Sequence, residues 1–304
     1  MNNKLLELTR YIKNPPSMPK KHYATIIGSS PSKGARSPIL WNAVYEALDS
    51  DVRMVPLDVD EINLPIVLKI LESDGFFIGG AVTAPFKETV LDVELGYDLS
   101  SEESGLVSSN CIFRSTQNGF LIACNTDVDA AVDCLTEKSG KLKGKTVAIL
   151  GFGGVGKPLA LKLSAMGVNC TVYKRNAGAG SKSVYSFPIL DWKKMSDSIL
   201  DFDIIINATT IGFSSDSTTS DQSPIEGFLI EKISKNTIIY DLIYSKTPTQ
   251  LSVYANNAGL NFLDGSCMNL NQAILGFLNC NAALSCDPQM VRNVMEKVKN
   301  DQGW

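Results

Sequence analysis

The chain has 304 residues, of which 44% are hydrophobic and 20% charged, and it carries a formal net charge of −4. These values are typical of a globular protein with one large or two ordinary domains, and they argue against nucleic acid or a membrane surface as a partner. No apolar run approaches the roughly 18 residues of a membrane span, and the first residues lack a signal-peptide core, so a cytoplasmic protein is expected.

The N-terminal part alternates short apolar runs with helical patterns. Residues 1–21 are basic and polar and are expected to pack loosely. Ser37 can cap a helix that has Pro38 at its first position. Strands are predicted at Tyr23–Ile27, Arg53–Val59 and Gly75–Val82, and a second helix is predicted at Leu64–Glu72. This β-α-β-α-β succession predicts a largely parallel sheet with right-handed crossovers.

The chain then continues with further short elements. A hairpin is predicted around Gln117–Gly119, since Asn-Gly favours a tight turn. The remaining predictions are a helix or turn at Glu102–Ser109, a strand at Cys111–Phe113, a helix at Val128–Leu135, a connector at Lys138–Lys145, strands at Asp203–Asn207, Ile238–Leu242 and Gly259–Leu263, loops at Gly178–Ser183 and Ser214–Ser220, and helices from Met268 onward.

A glycine-rich turn lies between two of the predicted strands. Thr146–Leu150 reads as a buried strand, a helical pattern follows the glycines, and Val168–Tyr173 reads as a second strand. The glycines permit a tight turn and let a pyrophosphate approach backbone N–H groups at the positive end of the helix. G-x-G-x-x-G alone also marks ordinary turns, but this context predicts a dinucleotide site. The predicted site comprises Gly151, Gly153, Gly154, Val155 and Gly156.

The residues that close the second strand indicate which dinucleotide is bound. An NAD site usually carries an acid there, whereas this chain has Lys174 and Arg175 and no acid until Asp191. A guanidinium can grip a 2′-phosphate through two parallel hydrogen bonds, and a carboxylate would repel it. NADP is therefore favoured over NAD; the alternative is that both cations merely solvate a strand end.

Cysteine and histidine usage limits the chemistry. The seven cysteines are odd in number and show no C-x-x-C spacing, which favours reduced, mostly buried thiols over disulfides or a zinc site. His22 is the only histidine, so no metal is expected and no Ser-His-Asp triad can form without it. Proton transfer must then come from Lys, Asp, Glu, Tyr or Cys.

From about Ile26 to the C-terminus the chain resembles the shikimate dehydrogenase family in one register. The matching segments are Gly80–Lys87, Asn110, Asn125–Asp127, the glycine-rich turn, Asn207–Thr209, Tyr240–Tyr244 and Gly265–Gln272. The resemblance implies reversible hydride transfer between NADPH and 3-dehydroshikimate, giving shikimate, on the way to chorismate and the aromatic amino acids. It also implies two α/β domains with a cleft between them. The substrate domain would span 1–128 and 267–304, and the NADP-binding Rossmann domain 129–266.

The resemblance assigns roles to individual residues. Lys87 would transfer the proton, with Asp127 beside it. The residues that would contact the substrate are Ser37, Thr83, Asn110, Gln272 and Tyr244. Asn207, Thr209 and Met268 would join the glycine-rich turn in binding the cofactor. Each assignment has an alternative without a role in binding or catalysis. Lys87 and Asp127 could be surface charges, Ser37 could cap a helix, and Met268 could pack in the core.

Departures from the family pattern leave alternatives open. Ala35 replaces the first serine of the family's carboxylate-binding Ser-x-Ser-Pro, and Ala81 replaces an asparagine. Val128–Ala130 alters a glycine-rich turn, and Lys174–Asn176 replaces an Asn-Arg-Thr clamp. The enzyme could therefore act on quinate or another shikimate-like acid. A catalytically silent NADP-binding sensor is a further alternative, against which the retained lysine and aspartate speak. A monomer or a homodimer is expected.

Overall fold

The chain forms two compact units. The computed structural model describes residues 3–15, 22–93, 106–177, 185–213, 221–245 and 247–304. Unit 1 comprises residues 1–126 and 270–303, and unit 2 comprises residues 127–269 and Trp304. The predicted class, α/β with two domains, is confirmed. The predicted loops at Gly178–Ser183 and Ser214–Ser220 lie outside the described residues, as do residues 102–105 of the predicted Glu102–Ser109 segment.

Unit 1 is built on a five-stranded mixed sheet in the order β2-β1-β3-β4-β5. Its strands are β1 (Tyr23–Gly28), β2 (Arg53–Asp58), β3 (Phe77–Val82), β4 (Cys111–Arg114) and β5 (Leu121–Cys124). Its first helices are α1 (Asn3–Leu8), α2 (Ser37–Ala47) and α3 (Leu64–Ser73). β1 pairs in parallel with β2 and β3, as the β-α-β-α-β succession predicts, and β4 and β5 continue the sheet antiparallel.

The N-terminal segment packs more tightly than predicted. Leu8 is fully buried and Ile12 is 7% exposed, and both join the hydrophobic core of unit 1. Ile12 bridges Val59, and the Lys13 amide donates to the Asp58 carbonyl at 2.8 Å. The expectation of loose packing is therefore wrong for residues 3–15. Tyr11 also packs against this core, and α1 contacts α3, so apolar packing holds the segment in place.

Unit 2 contains a six-stranded parallel sheet in the order β11-β10-β9-β6-β7-β8. The strands are β6 (Thr146–Leu150), β7 (Asn169–Lys174), β8 (Ile189–Asp191), β9 (Ile204–Asn207), β10 (Ile238–Asp241) and β11 (Asn261–Leu263). This is the doubly wound order of dinucleotide-binding folds, with the switch point between β6 and β9. The central strands β9 and β10 are buried along their whole length, which explains their continuous apolar runs.

The remaining helices complete both units. They are α4 (Thr126–Ser139), α5 (Gly156–Ala165), α6 (Gly227–Ile230), α7 (Gln250–Asn257), α8 (Ser266–Cys280) and α9 (Pro288–Asp301). The division between the units falls in the first turn of α4 and of α8. The short elements β8, α6 and α7 were not predicted from the sequence. None of the helices in the described parts of the chain has the length and apolar character that a bilayer crossing requires.

A disulfide corrects the prediction for the cysteines. Cys134 in α4 is bonded to Cys267 in α8, with their Cα atoms 6.3 Å apart. The expectation of reduced thiols is wrong for this pair. The two residues are 133 positions apart, so their pairing arises from the tertiary proximity of two helices and leaves no spacing motif. The free cysteines Cys111, Cys124, Cys170 and Cys280 are buried, as predicted.

Candidate active site

The loop after β3 carries Thr83 and Lys87. The Thr83 amide donates to the Ile27 carbonyl at 2.8 Å, which fixes the loop to the end of β1. Phe86 is 1% exposed and its amide donates to the Thr83 carbonyl at 3.0 Å, so the loop is anchored in the core of unit 1. Lys87 follows directly and is half-buried. A buried aromatic residue thus holds the backbone on which Lys87 stands.

Asn110 is the centre of a buried hydrogen-bond network in unit 1. It is 3% exposed, and its Nδ2 donates to Thr126 Oγ1 at 2.9 Å and to Gln272 Oε1 at 3.3 Å. Its Oδ1 accepts from the Thr126 amide at 2.7 Å. Thr126 Oγ1 also donates to the Gln272 carbonyl at 3.1 Å. The preceding amide, of Ser109, donates to the Lys87 carbonyl at 2.6 Å. The structure therefore brings the backbone of Lys87 close to Asn110, which is hydrogen-bonded to Gln272.

Asp127 directly follows Thr126 in the first turn of α4. It is 5% exposed. The positive end of a helix dipole favours a negative charge at this position. Because the amide of Thr126 is held by Asn110, the network also fixes the backbone from which Asp127 extends.

Ser37 lies in a different part of unit 1. It is 8% exposed and is the first residue of α2, whereas Arg36 occupies the cap position without a side-chain capping bond. The prediction that Ser37 caps the helix is wrong, because the helix begins one residue earlier than the Ser-Pro pair indicates. No hydrogen bond among the described residues joins Ser37 to the Asn110 network. The loop between β1 and α2 is held by Asp58, whose carboxylate accepts a hydrogen bond from the Ser32 amide at 2.9 Å. The sequence analysis assigned no role to Asp58.

The glycine-rich turn of unit 2 contains glycines of two kinds. Gly151 has φ 103°, and a Cβ there would lie 2.9 Å from the Ala208 carbonyl oxygen. A Cβ on Gly156 would lie 2.4 Å from the Gly151 carbonyl oxygen. Both glycines are therefore required by packing within the chain. Gly153 is different: nothing described lies within 4 Å of a Cβ built there. The space beside Gly153 is what the close approach of a pyrophosphate would need.

The end of β7 presents two cations. Lys174 is half-buried and Arg175 is exposed, and neither has an ion-pair partner among the residues that the structure describes. Asp191 stands opposite Lys174 in the β7–β8 register, but its carboxylate accepts from the Lys193 amide at 3.0 Å. Unpaired cations at this strand end fit a phosphate.

A second buried network lies at the carboxyl ends of β9 and β10. Asn207 is fully buried; its Oδ1 accepts from Thr209 Oγ1 at 2.7 Å and its Nδ2 donates to Asp241 Oδ1 at 2.9 Å. Asp241 Oδ2 accepts from Thr249 Oγ1 at 2.7 Å. Burial raises the pKa of the Asp241 carboxyl above its ordinary value of 3.8, although these hydrogen bonds oppose the shift. Asn207 and Asp241 therefore shape the loop that carries Thr209. Sequence reasoning assigned no role to Asp241, because a buried hydrogen-bonded acid leaves no pattern.

The two other residues assigned by resemblance lie later in unit 2. Met268, in the first turn of α8, is 7% exposed and follows the disulfide cysteine Cys267. Tyr244, after β10, is 37% exposed. A role for either in binding stays a prediction.

Two sequence families match different parts of the chain. The family described as shikimate dehydrogenase substrate binding domain matches residues 26–112. The family described as D-isomer specific 2-hydroxyacid dehydrogenase, NAD binding domain, matches residues 130–212. The first match lies in unit 1 and the second in unit 2.

Whole proteins are also similar to this chain. A protein of Methanosphaera stadtmanae named shikimate dehydrogenase (NADP(+)) is 30% identical over 260 residues, which cover 81% of this chain and 87% of that protein. A protein of the same name from Synechocystis sp. is 29% identical over 246 residues, covering 78% of this chain and 82% of its own length. The crystal structure of shikimate 5-dehydrogenase from Thermus thermophilus in complex with NADP(H) and shikimate has a TM-score of 0.72 at 23% identity, covering 91% of this chain and 99% of that one. The chain belongs to the shikimate dehydrogenase family.

Proposed function

We propose that the protein is an NADP-dependent shikimate dehydrogenase. It would transfer a hydride reversibly between NADPH and the ring ketone of 3-dehydroshikimate, giving shikimate for the synthesis of aromatic amino acids. The relatives named above carry this activity in their names. The expected cytoplasmic location and the monomeric or dimeric state stay predictions.

The observation that carries the proposal is the continuous set of hydrogen bonds around Asn110. It connects the Lys87 backbone, through Ser109, to Asn110 and Gln272. These residues come from distant parts of the sequence, and Ser109, Asn110 and Thr126 are buried in unit 1. Buried polar side chains that fix one another are a rigid support for binding a polyhydroxylated ring.

Proton transfer is assigned to Lys87. NADPH, when bound, supplies the hydride. Lys87 is proposed to give its proton to the carbonyl oxygen, where negative charge develops during reduction, and to act as the base in the oxidative direction. Asp127 is proposed to hold the Lys87 ammonium and to accept a hydrogen bond from a substrate hydroxyl.

The neutral side chains are proposed to orient the substrate. Thr83, Asn110 and Gln272 would hydrogen-bond the ring hydroxyls. Ser37 would donate one hydrogen bond to the carboxylate. Its burial at the start of α2, with the cap position taken by Arg36, supports a role other than capping. Tyr244 is a further proposed substrate contact.

The cofactor proposal rests on the contacts within unit 2. The space beside Gly153, with the backbone of Gly154 and Val155 next to it, would admit the pyrophosphate. Lys174 and Arg175 would hold the 2′-phosphate. Asn207 has no exposed surface, so it would act through the Thr209 backbone and hydroxyl that it orients. Met268 is proposed to pack on the nicotinamide.

Steady-state oxidation of shikimate and of quinate, each with NADP⁺ and NAD⁺, tests the proposal. The wild-type protein should turn over shikimate with NADP⁺ best. Lys87→Ala should lower kcat by about 10²-fold or more, since general acid–base catalysis contributes that much. Its affinity for NADP⁺ should stay unchanged. Glu88→Ala is the matched control, because Glu88 is the exposed neighbour of Lys87 and has no assigned role.

Each contrary result identifies a different error. Faster turnover of quinate would establish the alternative substrate, which the substitution at Ala35 keeps open. Tight NADP⁺ binding without turnover of either acid would support the sensor. A near-wild-type kcat for Lys87→Ala would remove Lys87 from the mechanism.

A further inference from the structure

Three aromatic rings pack together beside the glycine-rich turn. Phe152, between Gly151 and Gly153, meets Tyr185 edge-on with ring centroids 5.4 Å apart and Phe187 at 6.3 Å. Tyr185 and Phe187 stack on each other at 5.4 Å with an interplanar angle of 13°. Phe187 is 3% exposed, whereas the other two rings are half-buried. Two neighbouring rings therefore pack against Phe152 and hold its ring in place.

Lys174 completes this cluster. Its Nζ lies over the Phe152 ring, 5.9 Å from the centroid, which is within the range of a cation–π interaction. No carboxylate among the described residues pairs with this ammonium, and Asp191, its neighbour across the β7–β8 register, bonds to the Lys193 amide instead. An unanchored lysine side chain samples many rotamers, and ordering it on binding costs free energy. A fixed ring under the ammonium reduces that cost without neutralising the charge.

We infer that Phe152 is a positioning residue for cofactor choice: its ring holds the Lys174 ammonium in place for the 2′-phosphate of NADP. This inference rests on the proposed function, since it deepens the assignment of Lys174. A salt bridge to a carboxylate would also order the lysine, but it would compete with the phosphate. The face of a ring offers a weaker attraction that a phosphate easily outweighs.

A double-mutant cycle tests the inference. Dissociation constants for NADP⁺ and NAD⁺ would be measured by calorimetry for the wild-type protein, Phe152→Leu, Lys174→Met and the double variant. Phe152→Leu should weaken NADP⁺ by roughly two- to fivefold, the equivalent of one cation–π contact, and leave NAD⁺ unchanged. Lys174→Met should weaken NADP⁺ by about tenfold or more. In the Lys174→Met background, Phe152→Leu should have no further effect on NADP⁺.

Phe152→Tyr is the conservative control, because it keeps the ring and should keep the wild-type preference for NADP⁺. Equal weakening of NADP⁺ and NAD⁺ by Phe152→Leu would overturn the inference, since the ring would then only shape the turn. So would a loss of NADP⁺ affinity that persists in the Lys174→Met background. A wild-type protein without a preference for NADP⁺ would overturn the proposed cofactor assignment itself. A wild-type preference that Phe152→Leu does not reduce would overturn only the role of Phe152.

Discussion

Gly153→Ala separates cofactor binding from folding. Nothing described lies within 4 Å of a Cβ at Gly153, and its φ is not in the left-handed region, so the folded chain can accept the methyl group. The same methyl group would occupy the space through which a pyrophosphate approaches the backbone. The substitution should therefore leave the fold intact and damage the site.

The structure sets the expected magnitudes. Alanine reduces the entropy of the unfolded chain, so Gly153→Ala should leave the free energy of unfolding unchanged or raise it by up to about 1 kcal/mol. Losing one hydrogen bond from a backbone N–H to a charged phosphate costs about 1.5–3 kcal/mol, which weakens binding by roughly ten- to a hundredfold. Gly151→Ala should instead lower the free energy of unfolding by about 1–3 kcal/mol, because φ 103° and the contact at 2.9 Å strain the alanine.

Urea unfolding and calorimetric titration with NADP⁺ provide the two measurements. Gly75→Ala, in unit 1, is the matched control: a Cβ there also meets nothing described within 4 Å, so it should affect the free energy of unfolding as Gly153→Ala does and leave the affinity for NADP⁺ unchanged. Wild-type affinity of Gly153→Ala for NADP⁺ would refute the reasoning, since the pyrophosphate would then not approach this backbone. A loss of stability equal to that of Gly151→Ala would show that Gly153 is needed by the fold.

Three further predictions address the substrate, the disulfide and the buried network around Asp241. Ala35→Ser restores the family's serine and should lower KM for shikimate by roughly ten- to a hundredfold in steady-state assays, the value of one hydrogen bond to a carboxylate. Cys134→Ser should lower the free energy of unfolding in urea by about 2–4 kcal/mol, because it releases a long loop in the unfolded chain; Cys286→Ser, at a free cysteine, should not. Burial raises the folded-state pKa of Asp241, so as the pH rises above 3.8 the unfolded chain loses this proton first and stability falls until the raised pKa is passed. Asp241→Asn should remove this fall in the free energy of unfolding with rising pH. Urea unfolding at a series of pH values from 3.8 upward measures it.

Each of these predictions has a contrary result. An unchanged KM for Ala35→Ser would mean that another group, such as Arg36, holds the carboxylate or that the acid binds elsewhere. Equal unfolding of Cys134→Ser and the wild-type protein would mean that the disulfide does not constrain the unfolded chain. An identical pH dependence for Asp241→Asn and the wild-type protein would mean that Asp241 titrates alike in the folded and unfolded chains.

The sequence was most informative where local pattern and tertiary environment agree. Thr146–Leu150 and Asp203–Asn207 read as buried strands, and β6 and β9 are central strands of the parallel sheet. A strand that is buried on both faces must be apolar throughout, so its pattern is visible without knowledge of its neighbours. β8 has only three residues, too few to show any period, and it was missed.

Pairwise relations between distant residues could not be predicted. Nothing near Cys134 or Cys267 in the sequence indicates that α4 and α8 meet, and the odd number of cysteines argued against a disulfide. Leu8 and Ile12 are buried in one core cluster with side chains of α3, which lie more than 50 positions further along the chain. Such contacts depend on the assembled surface, which a local pattern does not contain.

The glycine-rich turn shows what the structure adds to a motif that the sequence already predicts. The sequence motif alone does not distinguish the roles of Gly151, Gly153 and Gly156. In the structure, Gly151 and Gly156 are required by the chain itself, because a side chain at either would collide with backbone. Nothing in the described part of the chain requires a glycine at position 153, so the fold described here gives no reason for the missing side chain. A bound pyrophosphate would supply that explanation, as proposed above, and the same turn contains Phe152, over whose ring the Lys174 ammonium lies.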